Sequence, residues 1–172
     1  KTIFLTGNNN MRKGFTIVEL LIAMALFVII ISIASGAFIN SLRTQRATVA
    51  LVAANSNASL ALEQMAREMR TGKDFSQSAA QEITFTNANG ESATYQWNNI
   101  SGAVEKKTGS GSFKRITADN VLVKNLNFRI FNGSLADPYP PRITVVLQVA
   151  PANIPFIDST VDLETTVSAR LP

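Results

Sequence analysis

A chain of 172 residues suits one modest domain with an appendage. It holds no cysteine and no histidine, which excludes disulfides and thiolate metal sites and removes the commonest general base and metal ligand. The net charge of +4 is concentrated at one end: Lys1, Arg12 and Lys13 precede Phe15 with no acidic residue among them, and the 13 basic and 12 acidic residues that follow leave only +1.

From Gly72 onward, nine basic residues face nine acidic ones. A phosphate-binding surface needs a basic stripe, so no nucleic-acid partner is expected. The doublets Lys106-Lys107 and Lys114-Arg115 read as solvated turn and strand residues.

The informative region opens with Met11-Arg12-Lys13-Gly14-Phe15-Thr16-Ile17-Val18-Glu19-Leu20-Leu21. From Leu20 to Phe38 every residue is apolar or small and none is charged. Counted from Phe15 the apolar stretch is about 24 residues, roughly 36 Å as a helix, enough to cross a bilayer core of about 30 Å with some tilt. Arg12 and Lys13 ahead of it favour a cytoplasmic N-terminus and an exported remainder, a bias that Arg43 and Arg46 weaken without reversing.

Glu19 is the anomaly in this stretch. A carboxylate inside an apolar helix costs about 2.5–3.5 kcal/mol at the membrane centre and less near an end. Lying one turn from Phe15, it can snorkel to the headgroups. Alternatively it finds a positive partner. A cut between Gly14 and Phe15 creates an α-amino group, with which Glu19 of a neighbouring subunit could pair. Such a buried pair adds little net stability but can fix register.

Gly14-Phe15-Thr16-Ile17-Val18-Glu19-Leu20-Leu21 closely resembles the class III signal of type IV prepilins and type II secretion pseudopilins. The resemblance implies that an aspartic prepilin peptidase cuts after Gly14 and that the new first residue, Phe15, is N-methylated. It also implies that Glu19 serves assembly. Met11–Gly14 fits as a short basic leader, so Met11 is the expected start, with residues 1–10 as upstream read-through, an artefact or a longer leader. The rival is a conventional signal sequence cut near Ala34-Ser35-Gly36-Ala37, which would make the chain a single-span surface binding module or adhesin. The acidic Glu19 and the length of the apolar run speak against it.

The helical pattern continues past the membrane segment. Leu51, Ala58, Leu62, Met65 and Met69 share one face, which reads as a seam against the head. Glu63 and Arg67 are four apart in the favourable orientation, and Arg67 and Arg70 suit the last turn. Gly72 is expected as the C-cap. No proline precedes residue 138, so nothing forces a break between Phe15 and Thr71. Gly36, with Ser32 and Ser35, is a candidate bend, and Asn55-Ser56-Asn57 a second weak spot.

Beyond Gly72 the period changes to two. Ile83-Phe85 and Tyr95-Trp97 flank Asn87-Ala88-Asn89-Gly90, a hairpin signal. Leu122, Leu126, Phe128 and Ile130 alternate with polar positions, Lys124 excepted. Ile143, Val145, Leu147 and Val149 share a face of the next strand, and Val161, Leu163, Thr165, Val167 and Ala169 a face of the last. The expected sheet is antiparallel, wet on one side, and covered on the other by the amphipathic half of the helix. Thr108–Ser112 reads as a linker or hairpin tip, and Asn132–Pro141 and Pro151–Pro155 as proline-bearing loops.

No catalytic or cofactor site is expected. Asp162 and Glu164 share a strand face with threonines and a serine, which reads as solvated. Asp137 and Asp158 are loop oxygens, and some pseudopilins bind calcium in such loops, but no EF-hand-like spacing exists and no metal is assigned. The expected fold is α+β, pilin-like. It divides into a leader at 1–14, a long helix at 15–71 (transmembrane over 15–42, amphipathic over 43–71) and a β-rich head at 72–172. The resemblance implies a structural subunit stored as a single-pass inner-membrane precursor with its head outside the cytoplasm. Its partners would be prepilin peptidase, other pilin or pseudopilin subunits and the inner-membrane assembly platform. The run Leu62–Arg70, the Thr165–Arg170 strand and the lack of a cysteine pair point to a minor subunit, similar to J-like or W-like components.

Overall fold

A computed structural model describes residues 14–132, 139–152 and 159–170. It forms two compact units, one ending at Thr44 and one beginning at Gln45. Helix α1 (Ile17–Arg70) supplies residues to both.

In the first unit, α1 exposes every residue from Ile17 to Thr44. Its most apolar 18-residue window has a mean hydropathy of 2.9, and none of that window is buried within the chain. An apolar helix with no protein cover suits a lipid or helix environment. The Ser32 hydroxyl donates to the Val28 carbonyl at 2.8 Å, so this polar group is satisfied within the helix. The helix continues unbroken through Gly36 and Asn55-Ser56-Asn57. At the latter, Asn57 Nδ2 donates to Asn120 Oδ1 at 2.8 Å, a tertiary bond that compensates poor local propensity.

In the second unit, α1 buries Ala54, Ala58, Ala61, Leu62, Met65 and Met69. This is the expected seam, extended by two alanines, with Leu51 only half-buried at its edge. The helix ends at Arg70, one residue before the expected 71, and Gly72 is not a left-handed cap. The N–H groups of Thr71 and Gly72 bond the carbonyls of Glu68 and Met69, both at 3.2 Å, tightening the last turn. The left-handed residue is Asp74, with φ of 57°. Gly72 is needed for space: a Cβ there would lie 2.5 Å from Phe85 Cδ2 and 3.2 Å from Phe75 Cζ.

Eight strands follow among the described residues: β1 (Lys73–Ser76), β2 (Glu82–Thr86), β3 (Ser92–Asn98), β4 (Ala103–Thr108), β5 (Lys114–Arg115), β6 (Val121–Phe131), β7 (Arg142–Pro151) and β8 (Val161–Ser168). They make two antiparallel meanders, β1-β2-β3-β4-β5 and β6-β7-β8, where sequence periodicity suggested one sheet. The β2–β3 turn forms where expected: Asn87 Oδ1 accepts from the N–H groups of Asn89 and Glu91, and Gly90 takes φ of 82°. Thr108–Ser112 is a hairpin tip between β4 and β5, with Gly109 at φ of 56°. One core joins the helix seam to both sheets through Phe85, Tyr95, Leu126, Phe128 and Leu147.

The exception at Lys124 has a cause. Val123 faces Val149 and Asn125 faces Gln148, so Lys124 is the extra residue of a bulge. Parity switches there: Val121 and Val123 are buried before it, Leu126 and Phe128 after it. Leu122, expected in phase with Leu126, therefore points the other way, over Gly102. In β7 and β8 the alternation falls as expected.

Candidate processing and assembly site

Gly14 and Phe15 are exposed and lie outside regular structure, and Phe15 is 85% exposed. Thr16 begins the helix as its N-cap. Its carbonyl accepts from Leu20 N and its hydroxyl from Glu19 N, both at 3.2 Å. Glu19 thus stands at the third helical position of a Thr-x-x-Glu capping arrangement, where a carboxylate also complements the helix dipole. The spacing of Thr16 and Glu19 was visible in the sequence, but its capping role was missed there.

The cap explains the backbone at Glu19 but not its apolar surroundings. Among the described residues, no hydrogen bond or ion pair reaches the Glu19 carboxylate, which is exposed. Gly14 poses a parallel question. Its φ is not in the left-handed region, and a Cβ there would meet no heavy atom within 4 Å. The described fold therefore supplies no reason for glycine at 14, nor a partner for the acid at 19. Arg12 and Lys13 of the expected leader lie outside the described residues.

Residues 9–35 match the family described as the prokaryotic N-terminal methylation motif. Residues 9–35 therefore carry the motif that marks type IV pilin- and pseudopilin-like proteins. The match covers the start of α1 and leaves the head uncharacterised. Comparisons with curated proteins and with solved structures return no match. The long apolar helix followed by antiparallel sheets is the pilin-like α+β arrangement. The motif marks a precursor processed by prepilin peptidase, membrane-anchored through its helix and built for assembly with other pilin subunits. The family that bears this motif is structural.

Several of the head's charged side chains serve its own packing. Lys106, expected to be solvated, instead pairs with Glu68 at 2.6 Å and lies 5.8 Å from the Tyr95 ring centre. Lys107 lies 5.8 Å from the Phe113 ring centre. Arg115 donates to the carbonyls of Thr117, Ala118 and Val121 and pairs with Asp119 at 3.1 Å. Burial pushes the Tyr95 hydroxyl well above the ordinary phenol range, and the neighbouring Glu68 carboxylate adds to it. Asp162 and Glu164 are exposed on one face, as expected. No cluster of three or more acidic residues able to hold a metal occurs among the described residues. The calcium candidates Asp137 and Asp158 lie outside them, as do parts of both proline-bearing loops.

Proposed function

We propose that this pilin-like protein is a structural, minor subunit of a type IV pilus or type II secretion pseudopilus. Prepilin peptidase cuts between Gly14 and Phe15 and N-methylates Phe15, and an inner-membrane assembly platform draws the helix into the filament. In the filament, Glu19 pairs with the amine of a neighbouring subunit. The observation that carries this reading is the pair of residues without a cause in their own fold. A glycine that the backbone does not require fits the cleft of a peptidase. A carboxylate without a partner among the described residues, set in an apolar helix, fits a cation brought by another chain. The lack of a cysteine pair supports the minor role.

Mass spectrometry of the mature protein tests the cut. A mature chain beginning at N-methyl-Phe15 is expected; a start near Ala37, or an uncut chain, sinks the proposal and favours the anchored surface module. Glu19→Ala is expected to be cut normally yet lost from sheared filaments, and normal incorporation refutes the pairing.

A further inference from the structure

Among the described residues, each sheet edge of the head is blunted except one. Strand β1 has four residues, a register shift between Lys73 and Ser76, and Asp74 in the left-handed region. Strand β5 has two residues, both basic. The outer side of β6 is already used: Val123 N donates to Gly102 O and Phe128 N to Ala80 O, both at 2.8 Å, and Phe128 O accepts from Gln77 Nε2 at 2.9 Å. Short strands, bulges, charge and cover are the usual ways in which edges avoid unwanted pairing.

Strand β8 is neither short nor bulged, no described residue covers its edge, and its charges are the acidic Asp162 and Glu164. It runs eight residues without proline or lysine, in unbroken register with β7 from Arg142↔Ser168 to Val149↔Val161. Ala169 N donates to Pro141 O at 2.9 Å, which fixes the parity of the ladder. Odd-numbered residues bond β7, and the N–H and C=O groups of Asp162, Glu164, Thr166 and Ser168 turn outward. The same parity turns Arg170 N outward, and there the Arg70 carbonyl takes it at 3.3 Å. The open edge therefore runs from Asp162 to Ser168. Among the described residues, no hydrogen bond reaches its outward backbone groups.

We propose that this edge is a strand-addition site for an extended segment of a different protein, with basic residues alternating with apolar ones. Backbone pairing along the edge would supply the affinity. Specificity would come from the two faces. On the outer face, Asp162 and Glu164 are exposed and would lie beside the basic residues of the added strand. On the core face, Val161 and Leu163 are only half-buried, and the apolar residues of the added strand would complete their cover. A second copy of β8 fits poorly, because antiparallel self-pairing gathers four carboxylates on one ribbon face. This site is distinct from the N-terminal motif and does not depend on the filament role.

The test uses the full chain in zwitterionic detergent micelles and a synthetic nine-residue peptide of alternating lysine and valine. Amide hydrogen exchange is read residue by residue by NMR. The peptide is expected to slow exchange at least tenfold at Asp162, Glu164, Thr166 and Ser168, whereas the amides of Leu163 and Thr165, already in the ladder, change little. A peptide with glutamate in place of lysine should have no effect. Thr166→Pro removes one outward donor and no backbone bond to β7, and Thr166→Val controls for the lost hydroxyl bond to Thr144, so only the proline should weaken binding at least tenfold. Glu164→Lys should lower the affinity for the lysine peptide and raise it for the glutamate peptide. Absence of alternate-residue protection overturns the proposal, as does equal response to both peptides. Protection that grows with protein concentration and no peptide also overturns it, and would assign the edge to a second copy.

Discussion

Replacing Gly72 with alanine separates two roles for a glycine just past a helix. The new Cβ would sit 2.5 Å from Phe85 Cδ2 and 3.0 Å from Cε2, so the ring must move. It has little room: Phe85 is 1% exposed, and its ring stacks between Phe75 at 5.4 Å and Tyr95 at 6.1 Å. Overpacking of this kind costs about 1–3 kcal/mol. The smaller backbone entropy of unfolded alanine returns about 0.4–1 kcal/mol. The expected net loss is about 1–2 kcal/mol, or roughly 4–8 °C in the melting temperature of the head. Thermal unfolding of the full chain in micelles, followed by Trp97 fluorescence, measures it. Asparagine is the discriminating substitution. A left-handed cap tolerates asparagine better than alanine, whereas a packing limit makes the larger asparagine worse. Gly72→Asn is therefore expected to melt below Gly72→Ala. The reverse order, or an alanine variant as stable as the parent, would refute the close-approach account.

The two ion pairs of α1 are expected to behave differently. The side chains of Lys106 and Glu68 are 21% and 27% exposed, so Lys106→Met, which strands a half-buried carboxylate, should cost about 1–3 kcal/mol in urea unfolding. Arg67 and Glu63 are 78% and 64% exposed, and Arg67→Ala should cost about 0.5 kcal/mol or less. Tyr95 sets an alkaline limit. Its unfolded phenol releases its proton near pH 10 while the folded one retains it, so the unfolded state then binds fewer protons. Stability should fall above about pH 10 by up to about 1.4 kcal/mol per pH unit, and a pH series of melts should show that slope reduced in Tyr95→Phe.

The helix, its seam and its last turn were legible because a 3.6-residue period over many turns is hard to mistake. The strands of β7 and β8 were legible for the same reason at period two. Legibility failed where one residue carries a geometric fact that periodicity does not encode. Lys124 showed as an interruption, but only the pairing of Val123 and Asn125 with consecutive β7 residues reveals a bulge and turns Leu122 over. Gly72 resembled a cap because glycine serves both torsion and space, and the space depends on Phe85, remote in sequence. The second sheet was hidden because alternation reports a buried face without saying which strands share it. At the N-terminus, Gly14, Phe15 and Glu19 were legible as a motif, while the cap formed by Thr16 was passed over in favour of the charge beside it.

The seam also governs how the head bears load. Its six buried side chains, Ala54 to Met69, follow one line along the helix axis for about 22 Å. Tension entering at Gln45 therefore meets these contacts in shear, all at once, and cannot peel them one by one. The Asn57–Asn120 and Lys106–Glu68 bonds and the link from Arg170 N to the Arg70 carbonyl brace the seam at intervals. A head fastened in this way is expected to yield cooperatively, which would suit the proposed drawing of the helix into a filament.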